Sequence, residues 1–181
     1  IKNHISKEDK YTFAFNELGN YTGQKNIEKI EAYDVSHISG ENGVASCVVF
    51  SKTGPNKKEY RLFNIPNELS GNDTGSLKHV LERRIKYFND PNTTPDLLLI
   101  DGGKSQLKFV RSVIEKSAHQ NLKVMSIVKG VGRVRASETI ISEDGIVELE
   151  KKHPYLKDLE LASSIVGAAP TNKFEKIKHL K

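Results

Sequence analysis

A buried strand, an amphipathic helix and a second strand follow one another in this chain, and this unit constrains the fold most. Residues 97–100 are an unbroken apolar run, as expected of a strand that is covered on both faces. Residues 107–114 carry apolar side chains at helical spacing, and residues 123–128 are again rich in β-formers. The order predicts a right-handed parallel crossover, and therefore an α/β fold.

Three further β-like runs precede this unit. They cover residues 30–35, 44–52 and 59–65 and are joined by short polar loops, which predicts an antiparallel meander. Apolar residues at helical spacing predict a helix over residues 76–88, which two prolines then end. Together the patterns predict a five-stranded mixed sheet flanked by helices, in the element order of the RNase H-like fold.

The outer parts of the chain are more polar. We expect residues 1–28 to be a helical lead-in and linker from an upstream region, because the chain begins at Ile1 rather than Met. The domain itself is expected over residues 29–168, with a hairpin at 139–149 and a last helix near 156–166. Residues 169–181 are predicted to be a basic C-terminal tail.

Two aspartates end predicted strands and are followed by loops of small or polar residues. Asp34 closes the first strand, and Asp101 closes the run at residues 97–100. Open α/β sheets place their sites at the carboxyl edge of the strands, so both carboxylates are expected there. The alternative is that each aspartate only caps a turn. Because the chain is basic, the pair favours a divalent metal that acts on phosphate.

Composition supports an anionic partner. The formal net charge of the 181 residues is +5 and the pI is about 9.1, which favours a polyanion. The single cysteine, Cys47, lies in an apolar run and is expected to be a small core residue. One cysteine excludes a disulfide framework and a cysteine zinc site, and fits a reducing compartment such as the cytoplasm. No apolar run of membrane-spanning length is visible.

Four segments, in this order, resemble a known family. They read Glu-Ala-Tyr-Asp-Val-Ser-His at residues 31–37, Val-Ala-Ser-Cys-Val-Val-Phe at 44–50, Tyr-Arg-Leu-Phe-Asn-Ile at 60–65, and Leu-Ile-Asp-Gly-Gly-Lys-Ser-Gln-Leu at 99–107. The chain resembles the C-terminal endonuclease domain of the UvrC family, the incision subunit of bacterial nucleotide excision repair. The first and last segments together are the specific signal.

The resemblance implies an RNase H-like fold and an activity. The family cuts damaged double-stranded DNA on the 5′ side of a lesion and uses Mg²⁺ or Mn²⁺. By similarity, Asp34 and Asp101 match two catalytic, metal-binding aspartates, and a further acidic residue is carried onto Asp144. A UvrB-type partner protein, bound through regions outside this chain, would hand over the lesion.

One departure from the family concerns catalysis. The family has an Arg-Asp-Glu-Ala-His-Arg segment on its last helix, and its histidine is catalytic. Here the matching place is Ser-Ser-Ile-Val-Gly-Ala at residues 163–168, so Gly167 stands where the histidine is expected. This leaves open a catalytically impaired RNase H-like DNA-binding module. Another RNase H-like nuclease of the resolvase type is a further alternative.

Several basic side chains are candidates for DNA contact. Lys104 is expected to open a helix, where free backbone N–H groups favour an anion, and Arg133 and Arg135 lie on a glycine-rich basic loop. His37 either contacts a phosphate or is a hydrogen-bonded loop residue. Arg83 and Arg84, on the helix at 76–88, are expected on a solvated face, with DNA contact as the less favoured alternative.

Overall fold

Eight strands form one mixed sheet in the residues that the structure, a computed structural model, describes: 7–36, 43–129, 138–142 and 145–148. The strand order is β3-β2-β1-β5-β6-β7-β8, and β4 also pairs with β2. The elements are α1 (Lys7–Thr22), β1 (Lys29–Ser36), β2 (Val44–Ser51), β3 (Gly54–Pro55), β4 (Arg61–Asn64), α2 (Asp73–Ile85), β5 (Leu97–Asp101), α3 (Lys104–Glu115), β6 (Lys123–Lys129), β7 (Glu138–Ser142) and β8 (Gly145–Glu148).

The predicted fold class is confirmed. The five expected strands correspond to β1, β2, β4, β5 and β6, with an antiparallel meander from β1 to β4 and a parallel β5-α3-β6 crossover. The expected hairpin is present as β7 and β8, and β7 pairs with β6, so the hairpin extends the sheet rather than standing apart. The third predicted strand is shorter than expected because a 3-10 turn occupies Lys57–Glu59.

Helix α1 is part of the core, which the expectation of a linker did not include. Tyr11, Phe15 and Leu18 are buried and belong to one cluster with sheet residues such as Ile30 and Leu99. Their spacing of four and three residues places them on one face of the helix. The domain boundaries given above stay a prediction. Among the described residues, no helix combines the length and apolarity needed to cross a membrane.

Helices α2 and α3 cover the opposite face of the sheet. Leu77, Val80 and Leu81 of α2 pack with Val110 and Ile114 of α3 in the second apolar cluster. The sheet is thus covered on both faces. This explains why the four residues before Asp101 in β5 are all apolar and no more than 1% exposed.

A buried ion pair joins β1 to α2. Arg84 is 1% exposed, which corrects the expectation of a solvated face, whereas Arg83 is exposed as expected. The Arg84 guanidinium donates to the Glu31 carboxylate from Nη2 at 2.5 Å and from Nε at 3.2 Å, and to the Thr93 carbonyl at 2.9 Å. It also lies 4.8 Å above the Phe88 ring. Arg84 follows Val80 and Leu81 by four and three residues, so it lies on the buried face of α2. Its charge is compensated there by Glu31 of β1, a partner that the sequence of the helix does not show.

Two side chains beside the Glu31–Arg84 pair, Tyr33 and Cys47, hold their protons more tightly than usual. The Tyr33 hydroxyl donates to Glu31 at 2.5 Å. Burial, with Cys47 and Glu31 beside it, raises the pKa of Tyr33 well above 10.0. Burial, followed by the charge of Glu31, raises the pKa of the Cys47 thiol well above 9.0. Burial alone would lower the pKa of Arg84, but the hydrogen bond and charge of Glu31 raise it, so the guanidinium stays charged.

Arg84→Met should destabilise the fold by about 3–5 kcal/mol, because it leaves the Glu31 carboxylate buried without its cation. The matched control is Arg83→Met on the same helix turn, which should cost less than about 1 kcal/mol. Urea unfolding of both variants measures the difference. Equal losses in the two variants would contradict the role given to the buried pair.

The free energy of unfolding should fall at alkaline pH, in part because the Cys47 thiol ionises more readily in the unfolded chain. Its pKa is raised in the fold, so its contribution to stability is complete below the unfolded value near pH 9 and is lost as the pH rises. Each such group lowers the free energy of unfolding by about 1.4 kcal/mol per pH unit in that range. Urea unfolding at pH 8 and at pH 10 (about one unit either side of 9) should show a smaller pH-dependent loss for Cys47→Ala than for the unvaried chain. The same loss in both would show that Cys47 does not titrate in this way.

Candidate active site

The register of β1 and β5 brings the two predicted aspartates together. The strands pair in parallel, and the last matched pair is Tyr33 with Ile100. The next residue of each strand is Asp34 and Asp101, so they follow the ladder side by side at its carboxyl end. Neighbouring strands lie about 4.8 Å apart, and equivalent positions in a parallel register face the same side of the sheet.

Both side chains line one cavity of about 210 Å³ at this edge, and both are half-buried. The cavity is therefore open to solvent yet walled by the sheet. Its other lining residues come from the strand ends and from the two helices on one face. These are Tyr33, Val35, Asp73, Leu77, Ile100 and Gln106.

Asp73 is a third carboxylate at this cavity, and the sequence analysis missed it. It is the first residue of α2, and Asn72 caps the helix by accepting a hydrogen bond from the Gly75 amide at 2.8 Å. The apolar spacing predicts a helix only from residue 76, which leaves Asp73 outside it. The available signal was Asn72 itself, a preferred N-cap residue followed by an acidic residue in the first turn.

A tight turn fixes Asp101 at the end of β5. The Gly102 amide donates to the Ile127 carbonyl of β6 at 3.2 Å, and the Ser126 hydroxyl donates to the Gly102 carbonyl. The Gln106 side chain accepts from the Gly103 amide at 3.0 Å. These contacts hold the backbone on the C-terminal side of Asp101, so its carboxylate has a defined place at the cavity.

The predicted DNA-contact residues are only partly within the described structure. Lys104 is exposed and opens α3 next to the cavity, as the two preceding glycines indicated. Its contact with DNA stays a prediction. His37, Arg133 and Arg135 lie outside the described residues. Asp144 and Gly167 also lie outside them, so the third family carboxylate and the missing histidine stay predictions.

The donor set fits a hard divalent cation. Asp34, Asp73 and Asp101 offer carboxylate oxygens, which Mg²⁺ and Mn²⁺ prefer over nitrogen or sulfur. Within the described ranges, however, no group of three or more His, Cys, Asp or Glu residues is close enough to hold an ion. Magnesium is commonly held by one or two carboxylates, with water and substrate phosphate completing its shell. The Asp34–Asp101 pair meets that requirement, and Asp73 stands at the same cavity.

The sheet order and the paired carboxylates at its edge define a protein of the RNase H-like fold. Two crystal structures of endonuclease V from Ciona intestinalis, in complex with inosine-containing DNA, are similar to this chain. The first has a TM-score of 0.54 and 10% identity, and the alignment covers 98% of this chain and 100% of that one. The second has a TM-score of 0.53, with 94% and 98% covered, also at 10% identity. At this identity the likeness concerns the fold.

Sequence comparison gives the family. The model of the UvrC RNase H endonuclease domain matches residues 20–163, so the chain belongs to this family. UvrABC system protein C of Saccharophagus degradans is 35% identical over 80% of this chain, and that of Nitrosococcus oceani is 38% identical over 77%. The protein of Pseudomonas putida is 42% identical over 65%. The matches cover 24%, 23% and 19% of these relatives, so the chain spans about a quarter of their length or less.

The two glycines after Asp101 should respond differently to substitution. A Cβ at Gly102 would lie 1.5 Å from the Gln106 Oε1 atom, whereas a Cβ at Gly103 meets no atom within 4 Å. Gly102→Ala should therefore displace Gln106 from the Gly103 amide and cost about 1 kcal/mol. Gly103→Ala, the comparison variant, leaves Gln106 in place and should cost only the smaller difference in N-cap preference between Gly and Ala, about 0.5 kcal/mol. Thermal unfolding compares them, and equal losses would contradict this role of Gln106.

Proposed function

We propose that this chain is a metal-dependent DNA endonuclease domain that makes the 5′ incision at damaged DNA in bacterial nucleotide excision repair. The observation that carries the proposal is the side-by-side placement of Asp34 and Asp101 at one solvent-open cavity. Membership of the UvrC endonuclease-domain family supports it. The cofactor is Mg²⁺ or Mn²⁺, and the substrate is damaged double-stranded DNA.

The chemistry follows from what the carboxylates can hold. Asp34 lies on a central strand between β2 and β5, so it is the residue best placed to share an ion, and Asp101 binds from the neighbouring strand. A divalent ion held by these carboxylates would neutralise the charge of the scissile phosphate and lower the pKa of a bound water. Asp73 approaches from the start of α2 and adds negative charge to the same cavity. Asp144 is the further acidic residue that the family resemblance offers.

The start of α3 supplies the complementary positive end. Its first backbone N–H groups and the exposed Lys104 favour a phosphate beside the carboxylates. Gln106 lines the cavity, and its side-chain oxygen accepts a hydrogen bond from the Gly103 amide. This contact keeps the start of the helix in place. A cation ligand, Asp101 at the end of β5, and an anion site at the start of α3 are thus joined by a turn of two glycines.

A second candidate is a DNA-binding module that does not cut. Gly167 stands where the family histidine is expected, and histidine is the side chain best suited to proton transfer near neutral pH. In either case we propose that lesion recognition comes from a UvrB-type partner through regions outside this chain. The isolated chain is then expected to discriminate weakly between damaged and undamaged duplex.

Asp101→Asn should lower nicking of lesion-containing duplex by more than about 100-fold, the order lost when one pre-organised charged group is removed. Asp73→Asn should lower it as well. The matched control is Glu82→Gln, an exposed α2 carboxylate outside the cavity, which should nick as the unvaried chain does. The measurement is strand nicking with Mn²⁺, with DNA affinity and thermal unfolding recorded for each variant.

Three results would decide between the functions. Nicking that persists in Asp101→Asn removes this residue from the site and contradicts the proposal. Salt-sensitive DNA binding without nicking by the unvaried chain favours the non-cutting module. Preference for four-way junctions over damaged duplex would favour a resolvase-type nuclease.

A further inference from the structure

A basic groove of about 440 Å³ lies at the far end of α2 from the carboxylate cavity. One wall is β4, which pairs only with β2 among the described strands, and the other is the end of α2. We propose that this groove binds the phosphate backbone of the DNA duplex beside the cut, an inference that rests on the function proposed above. The exposed lining side chains are Arg61, Leu62, Arg83, Lys86 and Tyr87.

The charge of the groove has one sign. Arg61, Arg83 and Lys86 reach its surface, and none of the lining residues within the described ranges is acidic. Arg84 also lines it, but its charge is compensated by the buried Glu31. A groove lined by positive charges raises the local concentration of anions. The planar guanidinium of an arginine can also bind two oxygens of one phosphate. The ligand that this wall fits is therefore a phosphate-rich polyanion.

The non-cationic side chains fit a nucleic-acid backbone. Tyr87 and Leu62 are 68% and 42% exposed, and they are the large hydrophobic side chains that the structure shows exposed among its described residues. A phenol can donate to a phosphate while its ring packs against a sugar. The Arg83 guanidinium lies 5.8 Å from the centre of the Phe63 ring, which orients it without neutralising its charge.

Helix α2 links the groove to the proposed cut. It begins at Asp73, at the carboxylate cavity, and ends at Ile85, one residue before Lys86. At about 1.5 Å per residue these ends are about 18 Å apart. With about 3.4 Å per base pair, this distance corresponds to about five base pairs of duplex. The groove is thus placed to bind the duplex about half a helical turn along from the site of the cut.

An acidic protein segment is the competing occupant. Protein interfaces usually have a continuous apolar centre with a polar rim, and charged residues are depleted from that centre. Here two exposed large apolar side chains, Leu62 and Tyr87, share the groove with three exposed cations. This composition favours DNA.

The test is salt-dependent binding of the full 181-residue chain to duplex DNA, followed by fluorescence anisotropy between about 50 and 200 mM salt. The groove variant is Arg83→Gln/Lys86→Gln. The matched control, Lys25→Gln/Lys116→Gln, removes the same charge from two exposed lysines outside both the groove and the cavity. The groove variant should bind about tenfold more weakly and lower the slope of log K against log salt by about two. The control should change the slope by less than half as much.

The outcomes separate this proposal from the proposed function. A slope in the groove variant equal to that of the unvaried chain, or an equal fall in the control, overturns the groove and leaves an acidic protein segment as its occupant. If the unvaried chain binds duplex but does not nick it, the proposed function fails while the slope still decides the groove.

Discussion

The parallel ladder between β1 and β5 is the contact on which the site depends. It joins two strands that are more than 60 residues apart in the chain, and its register decides whether their terminal aspartates meet. A slip of one residue would turn one carboxylate to the opposite face of the sheet. The register is held because both strands are buried between α1 on one side and α2 and α3 on the other, so a slip would also misplace the apolar side chains.

The buried Glu31–Arg84 pair adds a second constraint. It ties α2 to β1 three residues before Asp34, and the same helix carries Asp73 at its other end. A buried ion pair is weak evidence of net stabilisation, because removing two charges from water is costly. Its contribution here is geometric: a guanidinium with two bonds to one carboxylate permits few orientations of the helix over the strand. The helix thereby connects the carboxylate cavity with the basic groove.

The sequence predicted the sheet and the aspartate pair because both depend on local patterns. Apolar runs, helical spacing and glycine turns are visible in short windows, and strand order then places the ends of β1 and β5 together. The burial of Arg84 and the approach of Asp73 could not be read in this way. Each depends on a partner from another element. Arg84 lies on the apolar stripe of α2 and the exposed Arg83 lies off it, but only Glu31 of β1 explains why a charged residue is buried there. The packing of α1 was also missed, because polar and charged residues dominate this part of the sequence, although Tyr11, Phe15 and Leu18 stand at helical spacing.

Anomalous diffraction from crystals of this chain soaked in Mn²⁺ would show whether the two strand-end carboxylates hold an ion. We expect an ion at the carboxyl end of β1 and β5, within bonding distance of both Asp34 and Asp101, with Asp73 at the rim of the same cavity. An ion held elsewhere, or carboxyl groups of Asp34 and Asp101 that turn away from each other with no ion between them, would contradict it.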